Sequence, residues 1–362
     1  MIIPTPKSYL PKGEIIKRTL EMSSSEFSEM KVKYGKMGHF SASLTPVLLG
    51  IYGSPIKTFQ SMRSGRWEDL SSNPSVQFGS LMEEWVAGKG SEMVNSNFFK
   101  CPYYLGWRKS PWITCSKDFH VDSPDERWGV EVKTTSSYGI KKQLGENLSS
   151  DTALSYRIQM QHQMLVDELD GCYNPVLVLK DIGDRITTLK RAVQWIREDG
   201  VPIDEIMRDI PHEVKIFEVR RDEDAIREIR NYLTRMRELF VSGGYPPVDG
   251  SEKTSQYFRS IDRIETAVTA DDKQYGNILK IKKLKGDVAG TQDEIRMLEN
   301  KLLDGLGEAR EYRYNGNKVM EVKRIESNRF DTKTFKAENP ELADKYNKVS
   351  VSTRISYNGE QE

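Results

Sequence analysis

Apolar positions fall at two spacings along this 362-residue chain, and each change of spacing marks an element. Helical spacing and stop signals predict helices over residues 26–34, 44–49, 57–62, 76–87, 153–167 and 223–240. Ser23 offers an N-cap for the first, and Gly35 to His39 breaks it. Gly50 closes the second, Ser54-Pro55 opens the third, Asn73-Pro74 starts the fourth, and Gly88 ends it. Strand-like runs rich in β-branched and aromatic residues cover 98–104, 112–121, 128–135, 173–180 and 214–219. Residues 1–20, with Pro4, Pro6, Pro11 and Gly13, read as an irregular arm. Gly243-Gly244-Tyr245-Pro246-Pro247 is the clearest boundary in the chain. Beyond it, 261–303 is highly charged with spaced aliphatics, among them Ile278, Ile281, Leu284, Val288, Ile295, Leu298 and Leu302. It reads as one long helix or a helical hairpin, either packed on the core or presenting a coiled-coil surface to a partner. A hairpin over 312–325 turns at Asn315-Gly316, and a polar tail carries a short helix over 340–346. Three segments follow: a core with an N-terminal arm over 1–248, a charged helical segment over 249–310, and a hairpin with a tail over 311–362.

Composition narrows the class. Hydrophobic residues make up 37% and charged residues 30%, which suits a folded chain with a full core. The formal net charge of zero excludes a uniformly basic coat for nucleic acid but not a local basic groove. The three cysteines are widely spaced, so neither a zinc ribbon nor a four-cysteine cluster is supported. No run approaches the length of a membrane span and the N-terminus lacks a signal-peptide core, so a cytoplasmic location without membrane attachment is expected.

The chemistry concentrates in the two strands 112–121 and 128–135. Asp122 to Arg127 between them reads as a turn. A hairpin symmetric about Pro124-Asp125 places position i opposite 249 − i, so Asp118 faces Glu131. Lys133, two residues on, points to the same side. Two carboxylates and an ammonium on one face are costly unless something compensates them, and a divalent metal would do so. Phosphodiester hydrolysis needs such a set: oxygen ligands for one or two Mg²⁺ or Mn²⁺ ions, and a cation to orient water or steady the developing charge. The Val132 carbonyl is a further candidate ligand. Glu83, one helical turn after Gly79, is another. Asp122 is the second choice for the acid. Asp125 would sit at the turn tip, roughly 20 Å along an extended strand from Glu131, too far to share a metal. His120, opposite Gly129, is expected at the border of the site. On the helix over 153–167, Tyr156, Gln159 and Gln163 share a face. The amides of Gln159, Gln161 and Gln163 suit a buried carboxylate or a phosphate oxygen. Lys141 and Lys142 lie in a polar loop and are candidate DNA contacts.

Taken together these motifs resemble the PD-(D/E)XK nucleases, and within them the YqaJ-like viral recombinase exonucleases related to lambda exonuclease. Gly38-His39-Phe40-Ser41-Ala42-Ser43 is similar to the family's N-terminal glycine/serine motif. Gly79-Ser80-Leu81-Met82-Glu83 is similar to its Gly-x-x-x-Glu helix. Ser116-Lys117-Asp118 and Glu131-Val132-Lys133 resemble its catalytic strands, and residues 156–164 its glutamine helix. The tail motifs Arg329-Phe330-Asp331 and Ser350 to Arg354 resemble those of longer phage members. The resemblance implies a restriction-endonuclease-like α/β (α+β) fold, with a mixed central sheet flanked by helices and a C-terminal helical extension. It implies metal-dependent 5′-to-3′ degradation of one strand from double-stranded DNA ends, with Asp118, Glu131, Lys133, Glu83 and Gln159 as the catalytic set. It further implies a 3′ overhang passed to a single-strand annealing protein, and a possible ring-shaped homotrimer. Ser41, Ser43 and Gln161 become DNA contacts, and Lys33 falls where a relative places a cation for the 5′ phosphate. Three positions depart from the pattern: Phe119 and Phe78, where many members have glycine and arginine, and Gln163, where a variant motif has tyrosine. Two other readings stand beside this one: an endonuclease of the same fold, and an inactive DNA-binding or scaffold protein working through the helix over 261–303.

Overall fold

The computed structural model describes residues 11–19, 22–121, 123, 125–136, 153–180, 184–261, 267–306, 309–314, 317–322 and 332–346. The chain divides into two compact units, Met1–Phe258 and Arg259–Glu362.

The strands of the first unit, in chain order, are β1 (Glu14–Arg18), β2 (Phe40–Ser41), β3 (Phe98–Lys100), β4 (Tyr103–Trp107) and β5 (Ser110–Ser116), then β6 (Phe119–Val121), β7 (Trp128–Val130), β8 (Lys133–Ser136), β9 (Gly171–Leu179) and β10 (His212–Arg220). Its helices are α1 (Ser24–Lys36), α2 (Thr45–Leu48), α3 (Pro55–Ser64), α4 (Pro74–Val94) and α5 (Leu154–Asp167), then α6 (Arg185–Arg197), α7 (Ile203–Asp209) and α8 (Glu223–Val241); α9 (Glu252–Ser260) spans the division between the units.

The strands form two mixed sheets flanked by helices. One is four-stranded, in the order β1-β4-β5-β2, with β2 parallel to β5. The other runs β10-β9-β7-β6-β3, and β8 also pairs with β9. In it β7 and β8 run parallel to β9 and the remaining pairs are antiparallel. The mixed α/β class expected from the sequence therefore holds, with the strands shared between two sheets. Residues 14–18, expected to be irregular, form β1 against β4.

Each sheet has its own apolar core. Phe40, Phe59, Ile113, Met160, Met164 and Leu233 belong to the first, on the side of α3, α5 and α8. Phe78, Met82, Phe119, Val130, Leu177 and Leu189 belong to the second, on the side of α4 and α6. The buried residues of α8, Ile226, Ile229, Leu233 and Met236, fall three or four apart, which is why that segment is helical and where it packs. Asp222 caps its start by accepting from the backbone N–H groups of Asp224 and Ala225. Ser23 and Glu26 form a reciprocal capping box on α1.

Helix α4 runs on past Gly88 to Val94. Gly90 within it serves packing: a Cβ there would lie 2.9 Å from Pro175 and 3.1 Å from Phe98. The second unit contains α10 (Asp272–Leu306), the antiparallel hairpin of β11 (Glu311–Tyr314) and β12 (Asn317–Glu321), α11 (Thr332–Glu338) and α12 (Pro340–Tyr346). From residue 272 the long charged segment is thus one continuous helix of 35 residues.

Candidate active site

Each of the two predicted hairpin strands is interrupted, and each interruption falls at an acidic residue. The run 112–121 leaves the first sheet at Ser116 and enters the second at Phe119, with Lys117 and Asp118 between. The run 128–135 breaks at Glu131-Val132. The pairing register is the expected one, since Phe119 faces Val130, His120 faces Gly129 and Val121 faces Trp128. Across the second break the register with β9 is unchanged, with Val130 opposite Tyr173 and Lys133 opposite Val176. Strands β7 and β8 are therefore one strand with a two-residue gap in its ladder. The gap is bridged from β9: the Glu131 N–H donates to the Tyr173 carbonyl at 3.0 Å, and Asn174 donates to the Glu131 carbonyl at 2.6 Å.

The breaks bring the acids together. The Val132 N–H donates to Asp118 Oδ2 at 2.8 Å, tying one break to the other. Glu131 is 4% exposed, yet its carboxylate accepts three donors. Lys133 Nζ lies 2.5 Å from Oε1, Gln159 Nε2 lies 2.5 Å from the same oxygen, and Gln163 Nε2 lies 2.6 Å from Oε2. An ionised carboxylate has lone pairs to accept these bonds and keep more for another ligand. Gln159 and Gln163 stand one turn apart on α5, so a single helix face supplies both amides.

Glu83 on α4 points to the same region but is held by Lys100 of β3, with Nζ 2.5 Å from Oε1. The charge balance shows at Asp118. Burial raises its pKa well above the ordinary aspartate value, and the neighbouring Glu131 and Glu83 carboxylates raise it further. At Lys133 burial acts against the ammonium, but Glu131 and Asp118 outweigh it and hold the pKa above the usual lysine value. The cluster thus carries more negative charge than its lysines relieve at Asp118.

Comparison with known proteins now has a site to refer to. Residues 17–170 match the profile of the YqaJ-like viral recombinase domain. A protein named YqaJ from Bacillus subtilis (strain 168), itself uncharacterised, is 24% identical over 359 residues, covering 97% of this chain and 98% of its own. Among solved structures, the alkaline exonuclease LHK-Exo of Laribacter hongkongensis is similar at 14% identity and a TM-score of 0.42, covering 59% of this chain and 93% of that one. A phage-related exonuclease of Haemophilus somnus 129PT is similar at 15% identity and a TM-score of 0.34, covering 63% and 90%.

All five residues of the expected catalytic set, Asp118, Glu131, Lys133, Glu83 and Gln159, lie within the matched residues 17–170. Hydrogen bonds join Glu131 to Lys133 and Gln159, and Val132 links Asp118 to the same gap. Ser41 and Ser43 share a hydroxyl contact of 3.2 Å beside β2. Lys33 is exposed on α1. Asp125 is exposed in the loop between β6 and β7. Asp122, Lys141 and Lys142 lie outside the described residues.

Two expectations need correction. Gln161 is 2% exposed, and both ends of its amide are engaged: Nε2 donates to the Arg220 carbonyl at 2.8 Å and Oε1 accepts from the Asp222 N–H at 3.0 Å. It fastens α5 to the turn between β10 and α8, and its burial there gives it a packing role rather than a surface position for DNA. His120 is buried, stacks on Phe99 and lies on the Lys117 side of the strand. Burial, then Lys117, lowers its pKa to about 3, so it is a neutral packing group away from the carboxylates.

Gln163 meets a buried carboxylate as its place one turn after Gln159 suggested. Two members of the cluster escaped sequence reasoning, Asn174 and Lys100, because only the sheet order brings β9 and β3 alongside the breaks.

A divalent ion is tested here by the donor set. Among the described residues, no group of three His, Cys, Asp or Glu side chains is arranged to hold a metal. Asp118 and Glu131 do supply hard oxygen donors with excess negative charge, and Glu83 is a third once Lys100 releases it. The residues fit the group.

Proposed function

We propose that this protein is a metal-dependent exonuclease that degrades one strand of double-stranded DNA from its 5′ end. The observation that carries this reading is the meeting of Asp118, Glu131 and Lys133 at two strand breaks, in a chain matched to the YqaJ-like viral recombinase domain. Asp118, Glu131 and the Val132 carbonyl, with Glu83 completing the shell, would hold one or two Mg²⁺ or Mn²⁺ ions. When bound, such ions neutralise phosphate charge and lower the pKa of a water.

The chain's own groups do the positioning. Gln159 and Gln163 fix the Glu131 carboxylate from one helix, so its orientation survives the gap in the ladder. Lys133, charged at neutral pH, orients the attacking water or steadies the phosphate oxygens as charge builds. The exposed Lys33, with Ser41 and Ser43, is assigned to the terminal phosphate and backbone, where a cation and hydroxyl donors are needed. The product, a duplex with a 3′ overhang, suits transfer to a single-strand annealing protein of a phage recombination system. A homo-oligomer enclosing the duplex suits the family resemblance.

The test is digestion of linear duplex labelled at either end, with and without divalent metal, beside a substrate with both 5′ ends blocked. Nucleotide release from the 5′ end, only with metal and only from open ends, is the expected result. Cutting of the blocked duplex would make the protein an endonuclease, and no release under any condition would make it a binder.

A further inference from the structure

Helix α10 takes no part in the site described above, and its sequence is ordered in its own way. Ile281, Leu284, Val288, Thr291, Ile295, Leu298 and Leu302 succeed one another at alternating steps of three and four residues. That is the a/d repeat of a coiled coil, with β-branched residues or leucine at a and leucine or threonine at d. A helix of 35 residues spans about 52 Å, long enough for three such heptads. The six aliphatic side chains of this seam are between 36% and 57% exposed. Off the seam, Arg296 and Asp293 pair with each other along the helix and so do not compete for it.

We infer that α10 pairs with α10 of a second copy of this chain as an antiparallel coiled coil. The flanking charges choose both partner and direction. In a parallel homodimer, position g meets position e of the following heptad on the other helix. Lys280 would then face the second copy's Lys285, and Glu294 would face its Glu299, each pair occurring twice. Every charged pair of that arrangement is repulsive.

Antiparallel helices bring e to e and g to g. In the register that sets Leu284 against the second copy's Leu302 and Val288 against its Leu298, Lys285 meets Glu299 and Asp287 meets Lys301, each pair twice. Among the charged residues only Glu294 meets its own counterpart. Sliding by one heptad to set Ile281 against Leu298 keeps as many apolar layers, but places Lys280 on Lys301 and Asp287 on Glu294. One register therefore combines a continuous seam with four attractive pairs. Like charges at such positions are unfavourable by amounts similar to what opposite charges contribute. The inference is independent of the nuclease reading, since it uses no residue of the site.

The test is sedimentation equilibrium of the full-length protein and its variants. Val288→Asp with Ile295→Asp should halve the weight-average mass; an unchanged mass would overturn the pairing. Charge reversal tests direction without disturbing the seam. Glu299→Lys should weaken association by about tenfold, two attractions having become two repulsions. In a parallel pair the same change would strengthen association by facing Glu294, and that result would overturn the antiparallel arrangement. Asp287→Lys should weaken association likewise, and Asp287→Lys with Lys301→Asp should restore it. If the double aspartate variant misfolds, the charge series decides alone. A wild type that stays at the mass of a single chain over the accessible concentration range, whether or not it binds another protein, refutes the inference.

Discussion

Two ion clusters lie on opposite sides of one strand break, one residue apart in sequence, and they are built on opposite principles. Lys117 points into the protein and pairs with Asp167, both side chains being wholly buried. Asp167 also accepts from the Lys12 N–H at 2.6 Å, the Gly13 N–H at 3.1 Å and Arg127 at 3.4 Å. Gly13 is required there, because a Cβ would lie 2.9 Å from the Val166 carbonyl oxygen. Burial alone would raise the Asp167 pKa, but Lys117, Gly13 and Arg127 overcome it and hold the carboxyl below its ordinary range. Asp118, the next residue along from Lys117, has its pKa raised. The first cluster meets its charges within the protein. The second leaves negative charge unmet, and an unmet charge in a half-buried site is what a cation from outside can answer. The difference teaches that neighbouring residues of one break can be built for different ends: Lys117 is neutralised within the protein, and Asp118 is the one we propose for chemistry.

The comparison can be broken most decisively at the chemical side. Asp118→Asn and Lys133→Ala should each lower metal-dependent nucleotide release from duplex DNA by about 10³-fold or more, and Asp118→Asn should do so without lowering the metal-free melting temperature. An Asp118→Asn protein with full activity would remove the assignment. Lys117→Met should act the other way round, destabilising the protein by about 3–5 kcal/mol in urea unfolding, because it leaves Asp167 short of its main cation. Asp167→Asn in the same background should recover part of that loss.

Metal should separate the clusters next. A saturating divalent ion at 100 times its dissociation constant should stabilise the wild type by about 2.7 kcal/mol in a thermal melt and leave Asp118→Asn unmoved. The two carboxyls should also give opposite pH signs in metal-free protein. Asp167, with its pKa lowered, contributes stability above the unfolded carboxylate value, and this is lost as pH falls through its folded pKa. Asp118, with its pKa raised, penalises the folded state when ionised, so stability should rise as pH falls through its folded pKa toward the unfolded value. Asp118→Asn should abolish that rise, as seen in melting curves from pH 8 to pH 4.

The smallest effects lie at the glutamines. Gln163→Ala should lower turnover and cost about 1–3 kcal/mol, since Glu131 loses a buried donor. Gln161→Ala should affect stability by a similar amount while leaving DNA affinity unchanged.

The sequence made the chemistry legible further than the architecture. The register that sets Asp118 toward Glu131 followed from turn residues and β-branched runs, because a hairpin is local and its pairing is arithmetic. The breaks at Lys117-Asp118 and Glu131-Val132 were not legible, since both runs keep strand-like composition across them. What interrupts them is tertiary: a change of sheet in one case, and Asn174 reaching across in the other. Gln161, two residues from each of the other glutamines, stands on another face of the helix, and only the fold shows that β10 and α8 meet that face. Lys100 was invisible because the path of the chain from α4 into β3, which turns its ammonium back to Glu83, has no signature in the residues.

The unbroken register across the Glu131-Val132 gap has a consequence for how this segment tolerates change. Strands β7 and β8 keep step with β9 only because two residues occupy the gap. Adding or removing one would turn every side chain from Lys133 to Ser136 to the opposite face, carrying the lysine away from the acids. Side chains here are open to exchange, at a cost that varies with position. The spacing is not, and a one-residue insertion that changes no existing amino acid would do more harm than most substitutions.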